Sequence, residues 1–238
     1  MPTITENIKL KQYFLDHLTD MYAKKTRKGV HISDLVYCIR ESYLRKYLNK
    51  PQNLSSLFFF LDGEQRHKGF QGLVPNLQNE KKVKKFGIEA TMDLYNDTEE
   101  ELSKVIEIKT TRAKPKGEIP PHYMRQGAYY CLVRETDHFT LMTQHVNHTD
   151  IVFMDVYFTK GELENYYKEM ITDYNTLIQA FHITDMDIRV HKSKPYLDII
   201  KEDMMFVPMV RESMKWKCAL CLYHEECFGN NVEVKKPL

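Results

Sequence analysis

The sequence predicts an α/β fold in which a sheet-containing core is combined with a smaller helical part. Apolar residues recur at helical spacing near both ends of the chain. Between these regions, four short segments alternate apolar and polar residues, which is typical of half-buried strands, and one helical segment interrupts them. The chain has 238 residues, 42% of them hydrophobic, which is enough for one large domain or for a core with a satellite.

Three helices are predicted before the sheet. The first covers Ile8 to Ala23. The second begins near Ser33, whose hydroxyl can cap a segment that runs through Leu44. The third opens at Asp62 and carries His67, because an aspartate followed three residues later by a glutamine resembles a capping box.

The predicted sheet begins at Lys84, from which the hydrophobic period changes to two and Ile88, Ala90, Met92 and Leu94 alternate with polar residues. A charged turn leads to a second strand from Lys104 to Thr111, so these two strands are expected to pair as neighbours. A helix from Pro120 to about Val133 follows, since proline suits the first turn of a helix. Two further strands complete the predicted sheet: Phe139 to Val146 and Ile151 to Phe158.

The remainder of the chain is predicted to be mainly helical. Apolar residues at helical spacing from Leu163 to Phe181 predict a helix that packs on the core. Residues 182–212 match no clear pattern, and a short cysteine-rich stretch, Trp216 to Phe228, follows them.

Charge and hydropathy limit the classes of function that the sequence supports. The net charge is only +1 at pH 7, so contact with a polyanion would require local clusters of basic residues. Such clusters occur within 24–28, 81–85 and 109–116, although each by itself is typical of a solvated turn or edge. No apolar run approaches the ~20 residues of a membrane-spanning helix, and the first residues lack a secretory signal, which favours a cytoplasmic protein without a membrane partner.

The segment VIEIKTTR, residues 105–112, places a carboxylate and an ammonium in an otherwise apolar strand. Side chains alternate along a strand, so Glu107 and Lys109 project on the same face. Such a pair is by itself most often structural. However, Asp93 ends the preceding strand, and two converging carboxylates repel unless one is protonated or a divalent cation binds. Oxygen ligands suit Mg²⁺ and Mn²⁺, and an imidazole from His67 would shift the preference toward Mn²⁺.

Two further groups extend this hypothesis. Beside a metal, Lys109 can orient a water and offset charge that develops on a phosphate, and it can act as a base only if its pKa falls below the ordinary value of about 10.4. Gln126 and Tyr130 are four residues apart on the predicted helix and share a face. They can therefore contact a substrate backbone or brace the metal site.

Three of the five cysteines form the pattern C-x2-C-x5-C at Cys218, Cys221 and Cys227. Three thiols in ten positions indicate a bound metal or cluster, which needs a fourth ligand. The candidates are Cys38, His224 and Cys131. The third of these lies in an apolar helical stretch and is assigned to the core. The spacing alone does not separate a zinc site from an iron-sulfur cluster.

Taken together, these motifs resemble the RecB-like branch of the PD-(D/E)XK nucleases, and specifically the CRISPR-associated nucleases of the fourth Cas family. The match runs from Cys38 to Cys227. In family order the motifs are GEQRH ending at His67, GIEATMD ending at Asp93, IEIKT with Glu107 and Lys109, and Q-x-x-x-Y from Gln126 to Tyr130. The chain departs from the family at Met92, which precedes Asp93 where proline is usual, and at Ile39, which follows Cys38 where proline is frequent.

The resemblance implies a restriction-endonuclease-like fold with a mixed central sheet flanked by helices. The nuclease core would cover 62–181, and a [4Fe-4S] cluster would join helical segments 1–61 and 182–238. The implied cluster ligands are Cys38, Cys218, Cys221 and Cys227. The implied catalytic residues are Lys109, Glu107, Asp93, Gln126 and Tyr130. The implied ligands of Mn²⁺ or Mg²⁺ are His67, Asp93, Glu107 and Ile108.

The resemblance also implies metal-dependent hydrolysis of single-stranded DNA by an exonuclease, with endonuclease cutting as an addition, in the trimming of CRISPR spacer precursors. The implied partners are single-stranded DNA and the CRISPR integrase proteins, and a homo-oligomer is a further candidate assembly. The predicted DNA contacts are Arg40, Arg45, Arg112, Lys114, Gln126 and Tyr130. Three alternatives stay open: a RecB-like nuclease of recombination, repair, a virus or a mobile element; a catalytically weak DNA-binding module with a cluster; and a zinc-stabilised interaction protein.

Overall fold

The computed structural model describes residues 8–23, 29–48, 50, 54–97, 102–114, 117–148, 150–209, 211, 215, 217–218 and 221–228. The predicted basic cluster at 24–28, together with Lys116 and Trp216, lies outside these residues. The strands are β1 (Val30–His31), β2 (Gln78–Lys85), β3 (Ile88–Tyr95), β4 (Val105–Thr111), β5 (His138–His145) and β6 (Asp150–Tyr157). The helices are α1 (Ile8–Ala23), α2 (Ile32–Val36), α3 (Ile39–Leu48), α4 (Leu54–Leu73), α5 (Pro121–Arg134), α6 (Lys160–Val190), α7 (Tyr196–Asp203) and α8 (His224–Phe228).

The strands form one mixed sheet in the order β1-β3-β4-β5-β6, and β2 pairs with β3. β1 is parallel to β3 and β4 is parallel to β5, whereas the other neighbouring pairs are antiparallel. Because helices flank this mixed sheet, the predicted α/β class is confirmed. The expected pairing of β3 with β4 is also confirmed.

The four predicted strands are present, but the sheet described here contains six. β1 has only two residues, which is too short for a hydrophobic period. β2 reads QNEKKVKK and has a single apolar residue, Val83, so alternation could not reveal it. Lysines suit such a strand, because charged side chains on a sheet edge discourage pairing with other chains.

One edge of β3 is shared by two different strands. β2 pairs along the opposite edge from Ile88 to Tyr95, except at Asp93. On the shared edge, β1 pairs with Ile88 and Glu89, and β4 pairs with Leu94 and Tyr95. Residues 90–93 therefore lie in a gap between β1 and β4, which we call the strand gap.

The sheet is packed on both faces. On one face, residues of β3, β4 and β5 join a core with α2, α3, α5, α6 and α7. On the other face, α4 supplies Phe70 and covers a smaller cluster that includes Ile108 of β4. Alternation along β4 therefore directs Glu107 and Lys109 toward α5, and Ile106 and Ile108 toward α4. Within the described ranges, no helix is sufficiently long and apolar to cross a bilayer.

Three helix boundaries differ from prediction. The predicted second helix is two helices, α2 and α3, separated at Tyr37 and Cys38. The backbone N–H of Glu41 reaches the sulfur of Cys38 at 3.5 Å, so the cysteine occupies the capping position of α3. α4 begins at Leu54, and Asp62 lies inside it in an ion pair of 3.0 Å with Arg66 in place of a capping box. α6 continues to Val190 and so includes part of the unassigned stretch.

The tight packing of α5 on β5 leads to a stability prediction. A Cβ at Gly127 would lie 2.1 Å from the ring of Phe139, which is fully buried. We expect Gly127→Ala to lower the free energy of unfolding by about 2 kcal/mol, because overpacking outweighs the ~1 kcal/mol gain in helix propensity. Urea denaturation measures the change. Gly161→Ala is the control, since nothing lies within 4 Å of its Cβ position, and equal stability of the two variants would contradict the prediction.

Candidate active site

The strand gap is where the backbone of β3 departs from regular pairing. Opposite Asp93, Glu80 of β2 has a φ of 49° and the β2–β3 ladder omits this pair. The β3–β4 ladder stops at Leu94 and Ile106. At the neighbouring position on β3, the Oδ2 atom of Asp93 accepts a hydrogen bond of 2.8 Å from the backbone N–H of Ile108. The carboxylate thus replaces a strand-to-strand contact and lies between β3 and β4.

Glu107 is the centre of a buried polar cluster on the α5 side. Only 2% of the residue is exposed. Its Oε1 atom is 2.5 Å from the Nζ atom of Lys109 and accepts a hydrogen bond of 2.7 Å from the Nε2 atom of Gln126. The hydroxyl of Tyr130 lies 3.0 Å from the same nitrogen and donates to the carbonyl of Thr91 in the strand gap, at 2.8 Å. α5 and β3 therefore fix the orientation of the Glu107 carboxylate.

His67 approaches the same region from α4. Its Nδ1 atom is 3.4 Å from the Oδ1 atom of Asp93. One turn later on α4, the amide of Gln71 donates to the backbone carbonyl of Asp93 at 2.9 Å. Sequence reasoning missed Gln71, although a polar residue four positions after His67 shares its face of the helix. The two side chains hold both the carboxylate and the backbone of Asp93.

The charges in this cluster are strongly coupled. Burial, followed by the nearby Asp93 carboxylate, raises the pKa of Glu107 to about 7, and Lys109 only partly opposes this. Burial by itself would lower the pKa of Lys109. The nearby Glu107 carboxylate outweighs this effect and raises the pKa overall. Because both pKa values are raised, Glu107 and Lys109 are not both charged throughout the neutral pH range. We infer that Lys109 stays charged at neutral pH and that Glu107 is the partner whose protonation changes.

The pKa values of Asp93 and His67 are both shifted in the direction opposite to the one that burial alone would give. Burial would raise the pKa of Asp93, but the hydrogen bond and charge of His67 lower it overall. Burial would lower the pKa of His67, and contact with Asp93 raises it instead. Asp93 is therefore the ionised carboxylate of the site.

The donor atoms fit a divalent cation. As these side chains stand, no three His, Cys, Asp or Glu residues in the described part of the chain are close enough to hold a metal ion. The Oε2 atom of Glu107 and the Oε1 atom of Gln126 are nevertheless buried and have no hydrogen-bond partner among the described residues. An unsatisfied buried polar atom costs about 1–3 kcal/mol, which a cation would offset at the carboxylate. Ile108 can contribute only its carbonyl oxygen, because its side chain is apolar.

A pH dependence of metal binding follows. Glu107 must lose a proton to bind a cation, and the raised pKa of His67 acts in the same direction. We expect the affinity for Mn²⁺ to fall by up to about tenfold for each pH unit below ~7 and to level off above that value. Calorimetric titration of Mn²⁺ at several pH values measures this. The dependence should flatten in Glu107→Gln, and equal affinity at acidic and alkaline pH in the unmodified protein would contradict the assignment.

The second candidate site is a cavity lined by cysteines. Cys38, Cys218, Cys221 and Cys227 all line it, as does His224. All four cysteines are free thiols. Cys131 is fully buried in the main core, as predicted. The fold therefore brings Cys38 to the C-terminal trio, and it brings the alternative ligand His224 there as well.

The thiols of the cysteine cavity are held in their protonated form. Burial is the main cause in each case and raises the pKa of Cys221 to about 12 and that of Cys227 to about 11. The pKa values of Cys38 and Cys218 are raised in the same direction. A neighbouring cysteine of the group contributes to the shift at Cys38, Cys221 and Cys227, although no three ligating side chains in the described part of the chain converge closely enough to hold a metal as they stand. A bound metal or cluster would reverse this preference, because thiolate is the form that ligates.

The predicted DNA contacts lie in different environments. Arg112 and Lys114 are exposed just beyond β4, and the guanidinium of Arg112 lies 4.6 Å from the centroid of the Phe59 ring. Arg45 is exposed but pairs with Glu41 at 2.8 Å.

Three of those predicted contacts lie at buried positions. Arg40 is buried, and its Nε and Nη2 atoms donate to the carbonyl of Val207 at 2.8 and 2.6 Å, so it is not available to a phosphate. Gln126 and Tyr130 are also buried and point toward Glu107, which favours a bracing role over contact with a DNA backbone. Exposure depends on packing between distant segments and cannot be read from residue type.

Comparisons with known proteins identify a shared fold. No protein-family model matches the sequence, and a search of curated proteins finds no match. The crystal structure of SSO0001 is similar with a TM-score of 0.58 and 16% identity, covering 94% of this chain and 98% of that one. This similarity shows the fold alone, given the low identity.

Two other solved structures are similar at TM-scores below 0.5. A phage-related exonuclease from Haemophilus somnus 129PT has a TM-score of 0.43 and 14% identity, covering 67% of this chain and 99% of that one. An alkaline exonuclease (LHK-Exo) from Laribacter hongkongensis has a TM-score of 0.38 and 10% identity, covering 80% of this chain and 90% of that one. The resemblance to SSO0001 is therefore the one that bears on the fold.

Proposed function

We propose that this protein is a metal-dependent deoxyribonuclease with a restriction-endonuclease-like PD-(D/E)XK fold, acting on single-stranded DNA as an exonuclease. One observation carries the proposal. A buried carboxylate, Glu107, has an unsatisfied oxygen and contacts both Lys109 and Gln126, next to the His67–Asp93 pair in the strand gap. Cation ligands beside a fixed positive charge promote phosphodiester hydrolysis, because both offset the charge that develops on the phosphate.

Each side chain has a distinct task in this proposal. A divalent cation would polarise the phosphodiester and acidify a bound water. His67, Asp93, Glu107 and the carbonyl of Ile108 would hold that cation. Lys109, which stays protonated, acts as a hydrogen-bond donor that orients the water and offsets charge on the phosphate, and not as a general base.

The supporting residues keep these groups in place. Gln126 holds the Glu107 carboxylate, and Tyr130 links Gln126 to the carbonyl of Thr91. The backbone N–H of Ile108 holds Asp93. Preorganised polar groups cost no reorganisation at the moment of reaction, which is how a rigid fold accelerates charge-developing chemistry.

We further propose that the cysteine cavity holds a [4Fe-4S] cluster through Cys38, Cys218, Cys221 and Cys227. The shared cavity supports this, because it brings Cys38 to the C-terminal trio of cysteines. A zinc site that uses His224 is the competing assignment, because the Nε2 atom of His224 is buried without a hydrogen-bond partner among the described residues. The visible absorbance and the iron and sulfide content of anaerobically purified protein distinguish the two.

The biological setting that we propose is CRISPR adaptation in the cytoplasm, where the enzyme trims spacer precursors together with the integrase proteins. This rests on the order of the motifs from Cys38 to Cys227. A RecB-like nuclease of recombination, repair, a virus or a mobile element would carry the same residues. Cleavage activity and biological setting are therefore separate tests.

The activity is tested with anaerobically prepared protein and end-labelled single- and double-stranded DNA. The reactions contain Mn²⁺, Mg²⁺ or a chelator. We expect shortening of the single strand with Mn²⁺ and none with the chelator, because the donor set requires a cation. Absence of cleavage with either cation, or undiminished cleavage in the chelator, would contradict the proposal.

A further inference from the structure

Three aromatic rings lie between the candidate active site and the cysteine cavity. His122 and Tyr123 are in the first turn of α5, and Tyr37 lies between α2 and α3. The ring centroids of His122 and Tyr123 are 4.3 Å apart, and those of Tyr37 and His122 are 5.7 Å apart. All three rings are partly exposed. We call this row the aromatic track.

A lysine lies at each end of the aromatic track. The Nζ atom of Lys109 is 5.3 Å from the centroid of the Tyr123 ring. The Nζ atom of Lys217 is 4.1 Å from the centroid of the Tyr37 ring, and the next residue is the cavity cysteine Cys218. The track therefore begins at the proposed catalytic ammonium and ends beside the cysteine cavity.

Three cationic side chains act on the track, and each is paired with a carboxylate: Lys109 with Glu107, Lys217 with Glu41, and Arg125 with Glu169. Burial, followed by the charges of Lys109, Lys217 and Arg125, lowers the pKa of His122 to about 4. All three charges that contribute to this shift are cationic, and they act on a ring that is neutral at physiological pH. Flat neutral rings with cationic side chains beside them suit a ligand that combines flat bases with an anionic backbone.

Packing explains only part of this arrangement. Tyr37 and Tyr123 lie against the main core, as structural side chains would. Lys217 also pairs with Glu41 at 3.0 Å, which helps to hold the C-terminal segment against α3. A purely structural contact does not require that the rings stay partly exposed or that cations converge on them.

We propose that the aromatic track binds the nucleotides next to the scissile phosphate of single-stranded DNA. Bases stack on His122 and Tyr123, and a backbone phosphate contacts Lys217. The strand would then extend from the strand gap toward the cysteine cavity. This inference rests on the proposed nuclease function and assigns its substrate a path that the sequence motifs do not include.

The test is fluorescence anisotropy of a labelled single-stranded oligonucleotide with the full chain in chelator, which prevents cleavage. We expect His122→Ala to weaken binding about tenfold, because stacking on an aromatic ring carries much of the affinity for a single strand. His122→Phe should restore it, since phenylalanine keeps the stacking surface. The matched control is His138→Ala, which removes another histidine stacked on a tyrosine, Tyr157, on β6.

Lys217→Gln provides an independent readout that does not depend on the histidine variants. It should reduce the slope of log affinity against log salt by about 0.7, the value for one phosphate on a single strand. An unchanged slope would overturn the phosphate contact. Loss of binding in His122→Ala without rescue by His122→Phe would overturn stacking, and so would equal affinity of His122→Ala and the unmodified protein.

Failure of this inference is distinguishable from failure of the proposed function. If the unmodified protein cuts single strands with Mn²⁺ while all track variants bind normally, the nuclease assignment stands and the aromatic track has another role. If the unmodified protein neither cuts nor binds single strands, both proposals fail. Should His122→Ala not fold, as monitored by thermal unfolding, the salt dependence of Lys217→Gln decides the matter.

Discussion

Replacing Lys109 by methionine is expected to reduce Mn²⁺-dependent cleavage of single-stranded DNA by about a thousandfold, because removing one preorganised donor typically costs 10²–10³ in rate. The variant also leaves Glu107, which is 2% exposed, without its cationic partner. That carboxylate then keeps its proton more strongly and binds a cation less well. Initial rates of shortening of an end-labelled strand, at saturating Mn²⁺, measure the loss.

Methionine is chosen because it retains the length and apolar stem of lysine, so packing against Tyr123 is kept. Lys82→Met on the exposed surface of β2 is the matched control and should retain full activity. Glu107→Gln should be inactive as well. Retention of more than about a tenth of the activity in Lys109→Met would remove this ammonium from the reaction.

Replacing Cys221 by alanine is expected to remove the cluster that we propose and to make the protein insoluble. The cavity connects the junction of α2 and α3 with the C-terminal segment, so its metal would link residues almost two hundred positions apart in the chain. A structural metal contributes on the order of 10 kcal/mol to folding, which exceeds the margin of stability of many domains. Visible absorbance, iron content and the soluble fraction of anaerobic preparations measure the effect.

Cys131→Ala is the control for that variant. Cys131 is a buried core thiol and does not line the cavity, so its loss should leave colour and solubility intact and cost only about 1 kcal/mol. A Cys221→Ala protein that is soluble, colourless and fully active would show that the cavity needs no metal for folding or catalysis.

The success of the sequence predictions follows from the strength of local patterns. β3 alternates apolar and polar residues and was therefore predicted, although the predicted start at Lys84 lies in β2. β2 shows no such alternation, and it is held in place by pairing with β3 along its length. The predicted start of α4 was wrong for a related reason. The capping pattern at Asp62 is local, whereas the helix start at Leu54 depends on contacts with the rest of the fold.

The candidate site shows the same division. The residue types and order of Glu107, Lys109, Asp93 and His67 made them candidates, and the fold places His67 against Asp93 and Lys109 against Glu107. The interruption of pairing after Leu94, the support from Gln71 and the burial of Arg40 were not predictable. Each depends on tertiary contacts between distant segments of the chain, and a single sequence carries little information about such contacts.

The strand gap also has an energetic consequence. A continuous ladder from Tyr95 back to Ala90 would gain backbone hydrogen bonds and exclude water, but it would also seal the space that the reactive groups occupy. Aspartate at position 93 keeps β3 and β4 from joining further, because its side chain takes the amide of Ile108. The opening in the sheet is thus maintained against the tendency of neighbouring strands to pair, so a variant with a longer ladder would gain stability and lose this opening.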